Sequence, residues 1–217
     1  AVFAASSPFM EIVVIALLLP VRPTIDMAQA VSRHLSSGNI GGAREIFFGT
    51  LWRHHAVMDE HALARAAIET VAVRFMERIM SGVLWYMVFG LPALFIVYIV
   101  TLLNDTLGAS GGPFGVASRQ AYNALSWLPS RLASGLWIVA ALFVTEGKVK
   151  ETAAILWPLM ASLSPQALSL ACIAYIQNIS LGGPGSPYGG GAWIGPASPK
   201  AMPSHIKKAL YLYAVLH

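Results

Sequence analysis

With 217 residues the chain makes one domain, or two at most. Hydrophobic residues make up 56% of it and charged residues 11%, against roughly 25% charge in soluble domains, and the mean hydropathy is +0.64. So few charges cannot cover a soluble surface, which points to an integral membrane protein; a net charge of +4 without a Lys/Arg tract or aromatic–basic alternation excludes nucleic-acid binding.

The chain opens AVFAASSPFMEIVV, without methionine, and a cropped or processed start is expected. Val13 to Leu19 has the length of a signal h-region but lacks a basic flank and a cleavage site. A first span is expected over roughly Ser7–Val21, incomplete at its beginning, with Glu11 inside it. The polar section 22–81 follows and carries half of the chain's 14 Lys and Arg, which the positive-inside rule places in the cytoplasm. Its pattern is helical. Thr24 is placed to cap TIDMAQAVSRHL, with Ile25, Ala28, Val31 and Leu35 on one stripe. SSGNIGG ends that helix, AREIFFGTL forms the next, and Asp59 caps a third running to Met80.

The uncharged run Gly82–Leu103 is the clearest spanning candidate, since about 20 apolar residues cross the hydrocarbon core. Pro92 is expected to kink it, and Trp85 and Tyr86 suit an interfacial belt. Shorter apolar runs at Leu132–Thr145, 153–163 and Ala167–Ile179 are read as re-entrant or buried helices, giving about three to five embedded helices. No run alternates like a strand. The expected fold is all-α and polytopic: residues 1–217 as a single membrane domain, with 22–81 as a polar amphipathic helical section between the first two spans.

Chemistry-bearing residues are few. Cys172, the only cysteine, excludes an intrachain disulfide and sits in an apolar run as a buried thiol. His54, His55, Asp59 and His61 follow no metal template, so no metal site is assigned to them. Arg65 and Glu69 are four apart on one helix and are expected to pair, either as a stabilising ion pair or as a charged face toward an anionic substrate. Glu77 and Arg78 lie at the edge of the apolar run, where ionisable residues are costly and tend to be functional. LGGPGSPYGGG at 181–191 lacks the Lys and Ser/Thr of a Walker A loop and reads as a connector.

Taken in order, ARAAIET (64–70), GLPALFIVYIVTLLND (90–105), Phe114-Gly115, WLPSRL (127–132), LGGP (181–184), YGG (188–190), WIG (193–195) and IKKALYLY (206–213) resemble one family. It is the CobD/CbiB family of cobalamin biosynthesis, the adenosylcobinamide-phosphate synthases. The resemblance implies a multi-pass enzyme of the bacterial inner membrane, N-terminally shortened, that uses ATP with Mg to join an aminopropanol phosphate to a corrinoid propionate as an amide. It implies a lipid bilayer and a corrinoid substrate as partners. Arg53 and Arg65 would bind phosphate or propionate, with backbone N–H groups from Gly182, Gly183, Tyr188, Gly189 and Gly190; Glu69, Glu77 and Asp105 would be the catalytic acids.

The chain also departs from the family pattern. Trp52-Arg53-His54-His55 stands for Gly-Arg-Asp-Thr. Val73 and Arg74 follow Ala72 where Glu-Asn is expected, and Glu77 replaces an aspartate. Thr101-Leu102-Leu103-Asn104 stands for Asn-Thr-Leu-Asp, with Asp105 displaced by one, and Gln120-Ala121-Tyr122-Asn123 stands for Arg-Leu-Asp-Asp. Carboxylates and asparagines are what a Mg–ATP site needs. The alternative expectation is therefore a non-catalytic relative, acting as an accessory subunit that contacts other membrane protein subunits.

Overall fold

The structure, a computed structural model, describes residues 8–19, 22–51, 58–108, 112–142, 149–184, 186, 188 and 191–216. In chain order its elements are α1 (Pro8–Leu18), α2 (Arg22–Ser36), α3 (Ile40–Leu51), α4 (Glu60–Arg74), a π-helical turn (Phe75–Met80), α5 (Ser81–Phe89), α6 (Leu91–Leu107), α7 (Pro113–Ala141), α8 (Val149–Ser162), α9 (Pro165–Gln177), β1 (Leu181–Gly182), β2 (Trp193–Ile194) and α10 (Pro203–Val215). The all-α expectation holds, apart from the two-residue antiparallel ladder of β1 and β2.

Helix α4 is the axis of the core. From Leu63 to Val73 every residue but Arg65 is buried, with alanine at 64, 66, 67 and 72. A helix apolar on all sides has to be enclosed on all sides. α2, α3, α9 and α10 enclose it, the small alanines letting their backbones approach. The stripe read for α2 faces this core, with Ala28, Val31 and Leu35 buried and Ile25 packed at its edge. The cap expected at Thr24 does not form, because α2 already runs from Arg22; Pro23 sits in its first turn, where a fixed φ suits helix initiation. Asp59 does cap α4, its Oδ1 accepting the Ala62 N–H at 2.6 Å. Asp59→Ala should cost about 1 kcal/mol in a thermal melt, with Asp59→Ser recovering most of it.

The Gly82–Leu103 run is not one span. It divides at Gly90, whose φ of 73° and ψ of −161° only glycine adopts readily, into α5 and α6, which pack on each other. Pro92 belongs to the first turn of α6 instead of kinking a longer helix. Trp85 is half-buried and donates its Nε1–H to the Leu125 carbonyl at 3.0 Å, and the Tyr86 hydroxyl donates to Glu11 Oε1 at 2.8 Å. Leu132–Ala141 is the last third of the 29-residue α7. The Ala167–Ile179 run is largely α9, a core helix with Leu168 and Leu170–Ala174 all buried.

By length and mean hydropathy one stretch, Val13–Ser36, qualifies as a membrane-crossing helix, though positions 20 and 21 within it lie outside the described residues; α6 is apolar but shorter. The multi-pass expectation therefore rests on the sequence and not on this geometry. Large apolar side chains do stand exposed along α5 to α8, among them Met87 at 77%, Phe114 at 82% and Trp157 at 77%.

Candidate functional site

Helix α4 presents three polar side chains four residues apart, and all three meet the C-terminal segment. His61 Nδ1 lies 2.8 Å from the Ala201 carbonyl. Arg65 donates to the Pro199 carbonyl, and its guanidinium lies 5.2 Å from the Trp193 ring centroid. Glu69 takes the glycine-rich loop: Gly182 N–H donates to its Oε1 and the Ser186 hydroxyl to its Oε2, both at 2.7 Å. Tyr188 N–H in turn donates to Ser186 Oγ at 3.2 Å. Burial pushes the Glu69 carboxyl up to about 7, while the bonds from Ser186 and Gly182 and the charge of Arg65 pull the other way.

The loop reaches Glu69 through its glycines. Gly182 and Gly183 have φ of 79° and 80°, a turn that aims the Gly182 N–H into the core while β1 stays paired to β2. A Cβ on Gly183 would stand 2.6 Å from the Trp193 ring, the ring that Arg65 covers. Gly183→Ala should cost about 2 kcal/mol through the strained φ and the displaced indole, read by denaturation.

A second cluster lies one turn further on. Arg74 Nη1 is 2.9 Å from Glu77 Oε2 and 2.9 Å from Asp105 Oδ2. Tyr122 donates its hydroxyl to Glu77 Oε1 at 2.7 Å, and Gln166 Nε2 donates to the same oxygen at 3.2 Å. Glu77 is fully enclosed, and burial raises its carboxyl pKa against the opposing pull of Arg74. Burial disfavours the Arg74 charge, but Glu77, the Tyr188 phenol and Asp105 outweigh it. Glu77 lies in the π-helical turn, where wider i→i+5 bonding re-aims side chains; such turns recur at functional sites.

Of the residues singled out in the sequence, Glu77 and Asp105 share the second cluster, while Glu69, Gly182, Gly183 and Tyr188 come together at the first. Arg53, Gly189 and Gly190 lie outside the described residues, as do His54 and His55. Arg65 and Glu69 do not form the expected ion pair. Arg65 turns to Pro199 and Trp193, Glu69 turns to the loop, and only a longer-range attraction links them. The sequence alone gives no sign that Arg74, Tyr122, Gln166 and Ser186 belong to these clusters. In the sequence Arg74 and Tyr122 stand out only as departures from the family pattern, yet the two converge on Glu77.

The Mg that the resemblance implies alongside ATP does not fit the acids gathered here. Arg74 engages both Glu77 and Asp105, and its charge between them opposes a second cation there.

Fold and site define an α-helical protein whose central helix bears one buried carboxylate that grips a glycine loop and ends in an arginine that gathers acids from the π-helical turn and α6. The family model described as CobD/Cbib protein matches residues 1–213, and the chain belongs to that family. It is 28% identical over 165 residues to the cobalamin biosynthesis protein CobD of Brucella suis biovar 1 (strain 1330), covering 75% of this chain and 46% of that protein. The CobD of Rhizobium meliloti (strain 1021) is 29% identical over 157 residues, covering 71% and 48%. That of Rhodobacter capsulatus is 25% identical over 195 residues, covering 87% and 61%. The chain spans about half the length of the first of these curated relatives. No solved structure matches it.

Proposed function

We propose that this chain acts in cobalamin biosynthesis at a membrane, joining an aminopropanol phosphate to a corrinoid carboxylate as an amide at the expense of ATP. The observation that carries this reading is Glu69, a buried carboxyl raised to about 7 and held by a backbone N–H and a hydroxyl from the glycine loop. A group poised near neutral pH can take the proton that the amine nitrogen loses as the C–N bond forms. To meet the amine, Glu69 exchanges its bonds to Gly182 and Ser186 for bonds to the substrate. ATP would activate the carboxylate by phosphorylating one of its oxygens, releasing ADP, and phosphate would leave as the C–N bond forms. The exposed apolar face of α5 to α8 suits contact with lipid. The test is the purified protein in detergent with ATP, aminopropanol phosphate and the corrinoid acid. Amide product above a Glu69→Ala control is expected; no product from the unmodified protein would sink the reading.

A second reading, a non-catalytic subunit of a larger membrane assembly, is favoured by one observation. Arg74 neutralises the acids Glu77 and Asp105 from within the chain. Stoichiometric co-purification with a membrane complex, together with no amide product, is its expected signature.

A further inference from the structure

Two carboxylate oxygens, Glu77 Oε2 and Asp105 Oδ2, come from different elements and converge at equal distance, 2.9 Å, on the single nitrogen Nη1 of Arg74. Acids on separate elements converge in this way on a shared cation, and here the cation is covalently part of the chain. The remaining Glu77 oxygen is no freer, since Tyr122 O–H and Gln166 N–H both point their protons at it. A divalent ion needs lone pairs from several such oxygens, and protons aimed at the same carboxylate oppose it. A guanidinium needs acceptors only, keeps its charge at any working pH, and cannot be lost by dilution or chelation.

We propose that Arg74 is the built-in counter-cation of this cluster, its guanidinium holding the position between Glu77 and Asp105 that a divalent metal ion would otherwise take. The chain thereby keeps two inward-pointing acids in register, between the π-helical turn and α6, without a metal. This holds whether or not the chain forms an amide, so the test below reads metal binding and melting, not product.

Mn²⁺ is the probe, followed by the electron paramagnetic resonance signal of the free ion, on the full chain purified in detergent. The unmodified protein is expected to leave Mn²⁺ free and to melt at the same temperature with and without EDTA. Arg74→Ala opens the position and is expected to bind Mn²⁺ about tenfold more tightly than the parent. Adding Glu77→Gln to Arg74→Ala should abolish that gain. Mn²⁺ held by the unmodified protein and released by Glu77→Gln or Asp105→Asn would overturn the proposal. So would a folded Arg74→Ala that gains no affinity. If Arg74→Ala fails to fold, the double variant Arg74→Ala/Glu77→Gln, which removes the cation and one acid together, is expected to fold. Its failure would show that Arg74 does something other than neutralise the pair, and would equally overturn the proposal.

Discussion

Arg74→Ala is expected to destabilise the fold by about 3–5 kcal/mol, the range for removing one partner of a buried ion pair. Arg74, Glu77 and Asp105 have side chains 13%, 0% and 17% exposed, so water replaces the lost guanidinium only in part. Glu77 would keep only the Tyr122 and Gln166 donors, both on one oxygen. The measurement is chemical denaturation in a fixed detergent. Arg74→Ala/Glu77→Gln should lose less than Arg74→Ala alone, because the second change removes a stranded charge. Arg74→Lys should fall between parent and Arg74→Ala, since an ammonium is a point charge and lacks the planar fork. A loss from Arg74→Ala below about 1 kcal/mol would place the trio among ordinary surface pairs and refute this account.

If the chain forms the amide proposed above, Glu69→Gln is expected to lower turnover about 10²–10⁴-fold, the usual contribution of a positioned general base. The same substitution changes how stability depends on pH. The Glu69 carboxyl is raised from 4.5 to about 7 in the folded chain. A raised acid favours the folded state while protonated. Its contribution is complete below about 4.5 and is lost as pH rises through about 7, a swing of roughly 3 kcal/mol. Glutamine stays neutral and shows no such swing, so Glu69→Gln should gain on the parent between pH 5 and 7.5 and hold level above that. Parallel stability curves for the two proteins would show that Glu69 is ionised throughout and not poised as a base.

What could be read in the sequence was local. The α2 stripe, the Asp59 cap and the enclosed α9 follow from spacing and side-chain chemistry within one turn or one helix. The division of the Gly82–Leu103 run was also written there, as a glycine followed two residues later by proline, but the long uncharged stretch outweighed it. The π-helical turn left no mark, because FMERIM has no residue that demands wider bonding. Site partners were illegible for another reason: Gly182 meets Glu69 across 113 residues, and Gln166 meets Glu77 across 89. Arg65 and Glu69, adjacent on one face, pointed to each other by the only rule a single helix offers. Tertiary partners with better geometry took both. The ordered motifs were enough to point to the family.

The spacing of His61, Arg65 and Glu69 also bears on how the chain is made. Their partners Ala201, Pro199 and Gly182 lie 140, 134 and 113 residues downstream. At translation rates of about 5–20 residues per second, α4 waits on the order of 10 s for them. Throughout that interval His61, Arg65 and Glu69 lack the partners they have in the folded chain. The segment from Leu181 to Ala201 thus leaves the ribosome well after the helix it completes, and a ribosome that stops before Leu181 releases a chain in which α4 lacks these partners.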